Sequence, residues 1–167
     1  MEGVNFNTDL KLECPEAVIM DAIVKAVEPW ARKNGGKAQV AEDPQHSIDQ
    51  IVGDMSGGLT VSVFWGSDNI SDESRIQSYA LMDGIVNVAL SRPITAELDK
   101  AKAIRRTLTL CHELRDIVTK IDRMTVPGLQ MPPSYGGKSP VVIREGKLLN
   151  GYLLRFRVLY LCGEPGE

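Results

Sequence analysis

Residues 134–140, SYGGKSP, contain the triplet Gly-Lys-Ser, with which a phosphate-binding P-loop motif ends. A P-loop, Gly-x-x-x-x-Gly-Lys-Ser, needs an earlier glycine and a following helix, because backbone N–H groups and the helix dipole hold the phosphate. Here the earlier glycine position holds Pro132, which has no N–H, and Pro140 precedes the β-like run 141–143. The sequence therefore predicts a Gly/Pro-rich loop and not a nucleotide site.

The stretch CHELR, residues 111–115, suggests metal or nucleophile chemistry. A His-Glu-x-x-His zinc site needs a second histidine where the sequence has Asp116. A Cys-His nucleophilic pair needs facing side chains, whereas adjacent residues of a helix point about 100° apart. We therefore expect Cys111 to pack in the core and His112 to lie at its edge. The three cysteines are isolated, which favours a reduced, intracellular protein without a disulfide or zinc.

The stretch 66–74, GSDNISDES, places Asp68, Asp72 and Glu73 between two apolar runs. These acids lack the spacing of an EF-hand, so we expect a solvated loop or a contact surface for a basic partner. Asp83 differs from them because it interrupts an apolar strand pattern. It marks either a buried acid with a raised pKa or, as we favour, a bulge or an interface.

Arg155 and Arg157 lie on one face of the predicted last strand, together with Leu153, Leu159 and Leu161. Arginines are costly to bury without partners. The face is therefore either an exposed amphipathic surface or a surface that meets carboxylates of another element or subunit. A subunit interface with ion pairs at its centre is one of these two open alternatives.

Composition limits the class of protein. The chain has 167 residues, of which 43% are hydrophobic and 25% charged, enough for a core in one domain, 1–167. A net charge of −3 argues against a whole-protein attraction to nucleic acid or an anionic membrane, although a local basic patch stays open. The N-terminus has no apolar signal-peptide core, and no run could span a membrane. With no catalytic triad or dinucleotide fingerprint, we predict a cytosolically made non-enzyme without cofactor or metal.

Helical spacing of apolar residues predicts one helix from Pro15 to a stop at 34–36, a short one at 47–55, and a long one from Thr95 to about Arg123. The predicted buried stripe of the long helix is Leu98, Ala101, Ile104 or Arg105, Leu108, Cys111, Leu114 or Arg115, Val118 and Ile121.

Alternating apolar residues predict strands at 37–42, 59–65, 77–90, 141–144 and 152–162. The second and third of these form a hairpin with a long acidic tip, and Gly84 predicts a bulge. Proline and glycine make 126–140 a loop that forbids a helix or a central strand, and 163–167 a short tail. The predicted fold class is α+β: a mostly antiparallel twisted sheet with two or three helices packed on one face and a long hairpin.

The layout resembles that of tail terminator and tail-completion proteins from long-tailed bacteriophages and prophages. The segments that carry the resemblance share their order along the chain rather than a fingerprint. They are PEAVIMDAIVKAVEPW, GLTVSVFW, GSDNISDES, SYALMDGIVNVALSRP, ITAELDKAKAIRRTLTLCHEL and GYLLRFRVLYLC.

The resemblance implies an architectural function in the virion. Such proteins form a ring, commonly of six subunits, that caps the tail tube and presents a surface to the head connector or neck. Assembly in the host cytoplasm, contact with the tail tube protein and passive contact with DNA in a lumen would follow. The residues expected at a subunit or partner interface are Trp65, Asp68, Asp72, Glu73, Arg155 and Arg157.

Three alternatives remain beside this function. The chain is another neck or connector component, a small enzyme whose site the fold assembles from distant residues, or a cytosolic binding module for a peptide or nucleic acid. An enzyme would show a pocket with perturbed titratable groups. A nucleic-acid binder would show a steep salt dependence.

Overall fold

The computed structural model of the chain describes residues 14–41, 58–76, 79–93, 100–140 and 149–162. Its elements in chain order are α1 (Pro15–Lys33), β1 (Lys37–Val40), β2 (Thr60–Ile76), β3 (Tyr79–Pro93), α2 (Lys100–Thr119), a 3-10 turn (Arg123–Thr125), β4 (Ser134–Pro140) and β5 (Leu149–Cys162). The short helix predicted at 47–55, the strand at 141–144, the Thr95 cap and the tail at 163–167 lie outside the described residues.

The five strands form one sheet in the order β1-β2-β3-β5-β4. Only β1 and β2 pair in parallel, and every other neighbouring pair is antiparallel. Alternate residues of β2, β3 and β5 join residues of both helices in one apolar core, so α1 and α2 pack on the same face of the sheet. The α+β class and the mostly antiparallel sheet predicted from the sequence are confirmed.

Helix α1 follows directly from its sequence. Ile19, Ile23, Val27 and Ala31 recur every fourth residue and are all buried. At the C-terminus, the N–H of Gly36 donates to the carbonyl of Ala31, and Gly35 has a φ of 77°, which glycine adopts without steric cost. The predicted start and stop of this helix are therefore confirmed.

The N-terminal half of the predicted stripe of α2 is wrong. Ala101, Ile104 and Leu108 are exposed, and Ala103 and Thr107 are buried in their place. Thr107 tolerates burial because its hydroxyl donates to the carbonyl of Ala103 at 3.1 Å. The C-terminal half is confirmed, with Cys111, Leu114, Val118 and Ile121 in the core. The helix ends at Thr119, before the predicted Arg123.

The predicted hairpin is present, but two of its details are wrong. The segment 66–74, predicted as a loop, continues strand β2. Gly84 is not a bulge, since it pairs in register with Asp68 and Val158, and the irregularities lie in β2 instead, between Trp65 and Ser67 and between Ile70 and Arg75. Glycine stands at position 84 because a Cβ atom there would come within 2.6 Å of the indole of Trp65.

The predicted loop 126–140 is also wrong in its second half, where Ser134–Pro140 forms the edge strand β4. This Gly/Pro-rich sequence can form a strand because the strand lies at the edge of the sheet, where a proline without an N–H leaves no carbonyl of a neighbouring strand without a donor. The two glycines, Gly136 and Gly137, lie where the register with β5 shifts. The preceding segment 126–130 extends the same edge. The N–H of Gln130 donates to Leu159, and the N–H of Leu161 donates to Gly128.

Candidate functional site

A groove lies on the face of the sheet opposite the two helices, and we call it the hairpin groove. Its volume is about 290 Å³. It combines polar side chains with one exposed aliphatic residue, Ile85, which is 38% exposed. The lining residues are Ser67, Asn69, Asp83, Ile85, Gly136, Arg155, Phe156 and Arg157.

An ion pair between β3 and β5 forms the polar part of the hairpin groove. Nε of Arg157 donates to Oδ1 of Asp83 at 2.8 Å, and Nη2 donates to Oδ2 at 2.6 Å. The pair is diagonal, since Arg157 stands opposite Ile85 and Asp83 opposite Leu159. Hydrogen bonds from the Arg157 guanidinium hold the pKa of Asp83 below its usual range. Asp83 is therefore neither the acid of raised pKa nor the bulge that the sequence suggested.

Arg155 closes the neighbouring end of the hairpin groove. Its Nη1 donates to the hydroxyl of Ser139 at 3.2 Å, which links β5 to the edge strand β4. Its side chain is half-buried, whereas that of Arg157 is exposed. Both arginines of the predicted interface therefore lie in one groove, as their two-residue spacing on a strand requires.

Trp65 and Asp68, two other predicted interface residues, lie on the opposite face. The indole of Trp65 meets the ring of Tyr160 edge-on, with centroids 5.6 Å apart. The hydroxyl of Tyr160 lies between Glu16 Oε1 at 3.1 Å and Asp68 Oδ2 at 3.2 Å. We call Glu16, Asp68 and Tyr160 the carboxylate–tyrosine cluster. It connects the first turn of α1 to the hairpin.

In the carboxylate–tyrosine cluster, a single phenol hydroxyl lies within hydrogen-bond distance of two carboxylates, and this arrangement shifts the pKa values of the cluster. A phenol has one hydrogen, so it donates to one carboxylate at a time. Burial and the two nearby carboxylates raise the pKa of Tyr160 far above its ordinary value. Burial alone would raise the pKa of Glu16, but hydrogen bonds from Cys14, from its own backbone and from Tyr160 hold it lower. No spacing in the sequence indicates this cluster, because Glu16 and Tyr160 are 144 residues apart.

The structure thus separates the predicted interface residues. Arg155 and Arg157 lie in the hairpin groove, and Asp68 is engaged within its own chain by Tyr160. For Asp72 and Glu73 the backbone is described as part of β2, and their side chains lie outside the described residues. The interface role of the six residues stays a prediction.

The two stretches that suggested chemistry lie in helix α2 and in strand β4. Cys111 is 2% exposed, and burial raises the pKa of its thiol to about 11. His112 is exposed, with Nε2 3.9 Å from Oδ2 of Asp116. The predicted place of Cys111 in the core is confirmed, whereas His112 is exposed on α2 and does not lie at the edge of the core. The Gly-Lys-Ser triplet lies within strand β4, so Lys138 and the two residues that follow it, Ser139 and Pro140, are extended and not helical.

The described segments offer neither a metal cluster nor a membrane-spanning helix. There, no three His, Cys, Asp or Glu side chains are grouped to hold a metal ion. Neither of the two described helices is long and apolar enough to cross a membrane.

Comparison with solved structures gives a weak structural likeness. No protein-family model matches the sequence, and no curated protein matches it. Among solved structures, the chain is similar to the PVC sheath/tube terminator of an extracellular contractile injection system, in its extended state. The sequence identity is 10% and the TM-score 0.39, over 94% of this chain. The chain spans 60% of the length of that terminator chain.

Proposed function

We propose that this chain is a structural virion protein whose subunits form a ring that caps the phage tail tube and joins the tail to the head connector. The ring is expected to have six subunits, as the sequence resemblance implies. Its partners are the tail tube protein and a connector or neck protein, with DNA passing the lumen. The proposal assigns the chain no enzymatic activity. It rests on surfaces of this chain, not on the likeness to the injection-system terminator.

The observation that carries the proposal is the length of β2 relative to its outer neighbour. β2 runs over 17 residues, whereas β1 has 4 and pairs only with Thr60–Val63. Within the described residues, β3 is therefore the one strand that pairs with β2 beyond Val63. A long strand with a row of unpaired N–H and C=O groups is a template for pairing with another chain, and assembly proteins use such edges.

Two features of β2 disfavour non-specific pairing of its free edge with strands of other proteins. Two irregularities interrupt its ladder, and its outer half carries Asp68, Asp72 and Glu73. Bulges and charges on an edge favour a specific charged partner over random strand addition. This is the property that a subunit needs if it must stay soluble before a tail tube recruits it.

The hairpin groove is the one observation that favours an alternative function, namely a binding module for a small anionic or peptide ligand. Its guanidinium groups are already engaged, Arg157 by Asp83 and Arg155 by Ser139. An added anion would have to compete with both contacts. We therefore rank this function, and that of another neck component, below the terminator.

The first test is the mass of the full chain in solution, measured by light scattering over about a hundredfold range of protein concentration. Large species would then be imaged by negative stain. The proposal expects a closed ring, free or seated on tail tubes. A chain that stays monomeric at every concentration and does not bind added tail tubes would overturn the proposal. A salt-dependent complex with duplex DNA in the absence of self-association would instead support a nucleic-acid binder.

A further inference from the structure

The exposed side of α2 combines large apolar and basic side chains. Ile104 is 41% exposed and Leu108 36% exposed, and they stand one helical turn apart. Ala101, Arg105 and His112 are exposed on the same side, because positions 101, 104, 105, 108 and 112 fall on one face at 3.6 residues per turn. We call these five residues the α2 face. Single exposed apolar residues are ordinary, but an adjacent pair bordered by charge is typical of a contact surface.

Charge is distributed unevenly between α2 and the hairpin. α2 carries five basic side chains and two acidic ones, a formal charge of +3. Four of the basic residues lie within 100–106, which contains no acid. β2 carries three acids and one arginine, a formal charge of −2. A protein of net charge −3 therefore has one basic helix and one acidic strand.

These two surfaces belong to different parts of the sheet. The sheet order places β2 towards one edge and β5 and β4 at the other, and α2 contacts β3, β5 and β4. A surface at one side that fits a different surface at the other gives a head-to-tail contact. Such a contact repeats from subunit to subunit and gives a ring where the rotation between subunits closes, whereas a two-fold dimer needs the same patch on both partners.

We propose that the α2 face is the docking surface for a second copy of this chain, and that its occupant is the acidic outer half of β2. The inference deepens the proposed function and rests on it. Ile104 and Leu108 would lie at the centre of the contact, and Arg105 would face the acids of the neighbouring strand. Asp68 and Arg157, two of the interface residues expected from the sequence, are not needed for this contact, since Tyr160 and Asp83 already hold their side chains.

The test compares self-association of the full chain with that of matched variants by sedimentation velocity. Arg105→Glu introduces repulsion, and Leu108→Ser removes apolar contact without touching a core residue. Lys25→Glu is the control, since it makes the same charge change at an exposed position of α1. Each variant is checked by circular dichroism and thermal melting, so that misfolding is recognised.

We expect Arg105→Glu and Leu108→Ser each to weaken association by about tenfold or more, and Lys25→Glu to leave it unchanged. Asp72→Lys with Glu73→Lys should weaken it as well, and should restore association when combined with Arg105→Glu. A ring that forms equally well from Arg105→Glu and Leu108→Ser would overturn this interface and leave the proposed function standing. A wild-type chain that never associates would overturn both. Loss of DNA binding in Arg105→Glu with unchanged self-association would also overturn the interface, by making the α2 face a nucleic-acid surface.

Discussion

The guanidinium of Arg157 on β5 donates hydrogen bonds to the carboxylate of Asp83 on the neighbouring strand β3, with Nη2 2.6 Å from Oδ2. The bond lies on the face without the two described helices, and 29% of the Asp83 side chain remains exposed. It is a contact between neighbouring strands, in the half of the hairpin that is nearer to the Ile76–Tyr79 end. It therefore fixes strand register more than it adds stability, because solvent screens exposed ion pairs.

Replacing Asp83 by Asn should lower the melting temperature at neutral pH by no more than a few degrees. The pKa of Asp83 is lower in the folded state, so its contribution is present above the unfolded pKa of about 3.9 and disappears as pH falls through the folded pKa. The wild-type advantage should therefore vanish in strong acid and shrink in high salt. Thermal melts over pH and salt measure it. Glu28→Gln, which breaks the helical pair with Arg32, is the control. An advantage that persists below both pKa values would contradict the ion-pair explanation.

Replacing Gly84 by Ala should destabilise the fold by about 1–3 kcal/mol, because the added methyl group overpacks a filled site. Its Cβ would lie 2.6 Å from Cζ2 of Trp65 and 3.2 Å from Cε1 of Tyr160. Urea denaturation measures the loss. Gly136→Ala is the matched control, because its nearest contact would be 3.4 Å, to the carbonyl oxygen of Arg155.

The added Trp65→Phe substitution should recover part of the loss caused by Gly84→Ala, since the smaller ring makes room for the methyl group. Within the described residues, Nε1 of Trp65 is also buried without a hydrogen-bond partner, so its removal has little polar cost. Equal stability of Gly84→Ala and wild type would show that glycine is not needed for this close approach.

Much of the fold was predictable because local periodicity decides it. α1, the α+β class and the inner residues of β2 and β5 follow from spacing of apolar residues. Predictions from local composition were wrong where pairing with a distant strand determines the conformation. The polar segment 66–74 becomes strand because β3 offers it a partner, and the glycine-rich β4 becomes strand because β5 does.

The candidate site was less predictable because its contacts join distant parts of the chain. The sequence placed Arg155 and Arg157 on one face, but not the partner Asp83, which is 74 residues away from Arg157. A glycine inside a strand pattern predicts a bulge at Gly84, whereas the reason for the glycine is Trp65, which only the fold brings next to it. On α2, positions 101–108 offer two possible buried faces, and the fold buries the one with Ala103 and Thr107. No local pattern carries such information.

Replacing Tyr160 by Phe should cost about 1 kcal/mol, because the phenol supplies a hydrogen bond to the two carboxylates of Glu16 and Asp68. Urea denaturation measures the change, and Tyr152→Phe, at a half-buried position of the same strand, is the control. Because its pKa is raised, Tyr160 should stay protonated until the fold unfolds in alkali. A difference spectrum of wild type minus Tyr160→Phe that shows tyrosinate before unfolding would contradict this environment.

The three cysteines should react with thiol reagents in the order of their exposure. Cys14 is exposed, Cys162 half-buried and Cys111 buried. Burial raises the pKa of Cys111 to about 11, so at pH 8 only about one molecule in a thousand carries its thiolate. In the native protein we therefore expect rapid labelling of Cys14 and none of Cys111 until urea unfolds the chain. Mass spectrometry of peptides after timed alkylation separates the sites, with Cys14→Ser as the matched control. Labelling of Cys111 at the rate of Cys14 in the folded protein would place that residue outside the core and contradict the packing of α2 on the sheet.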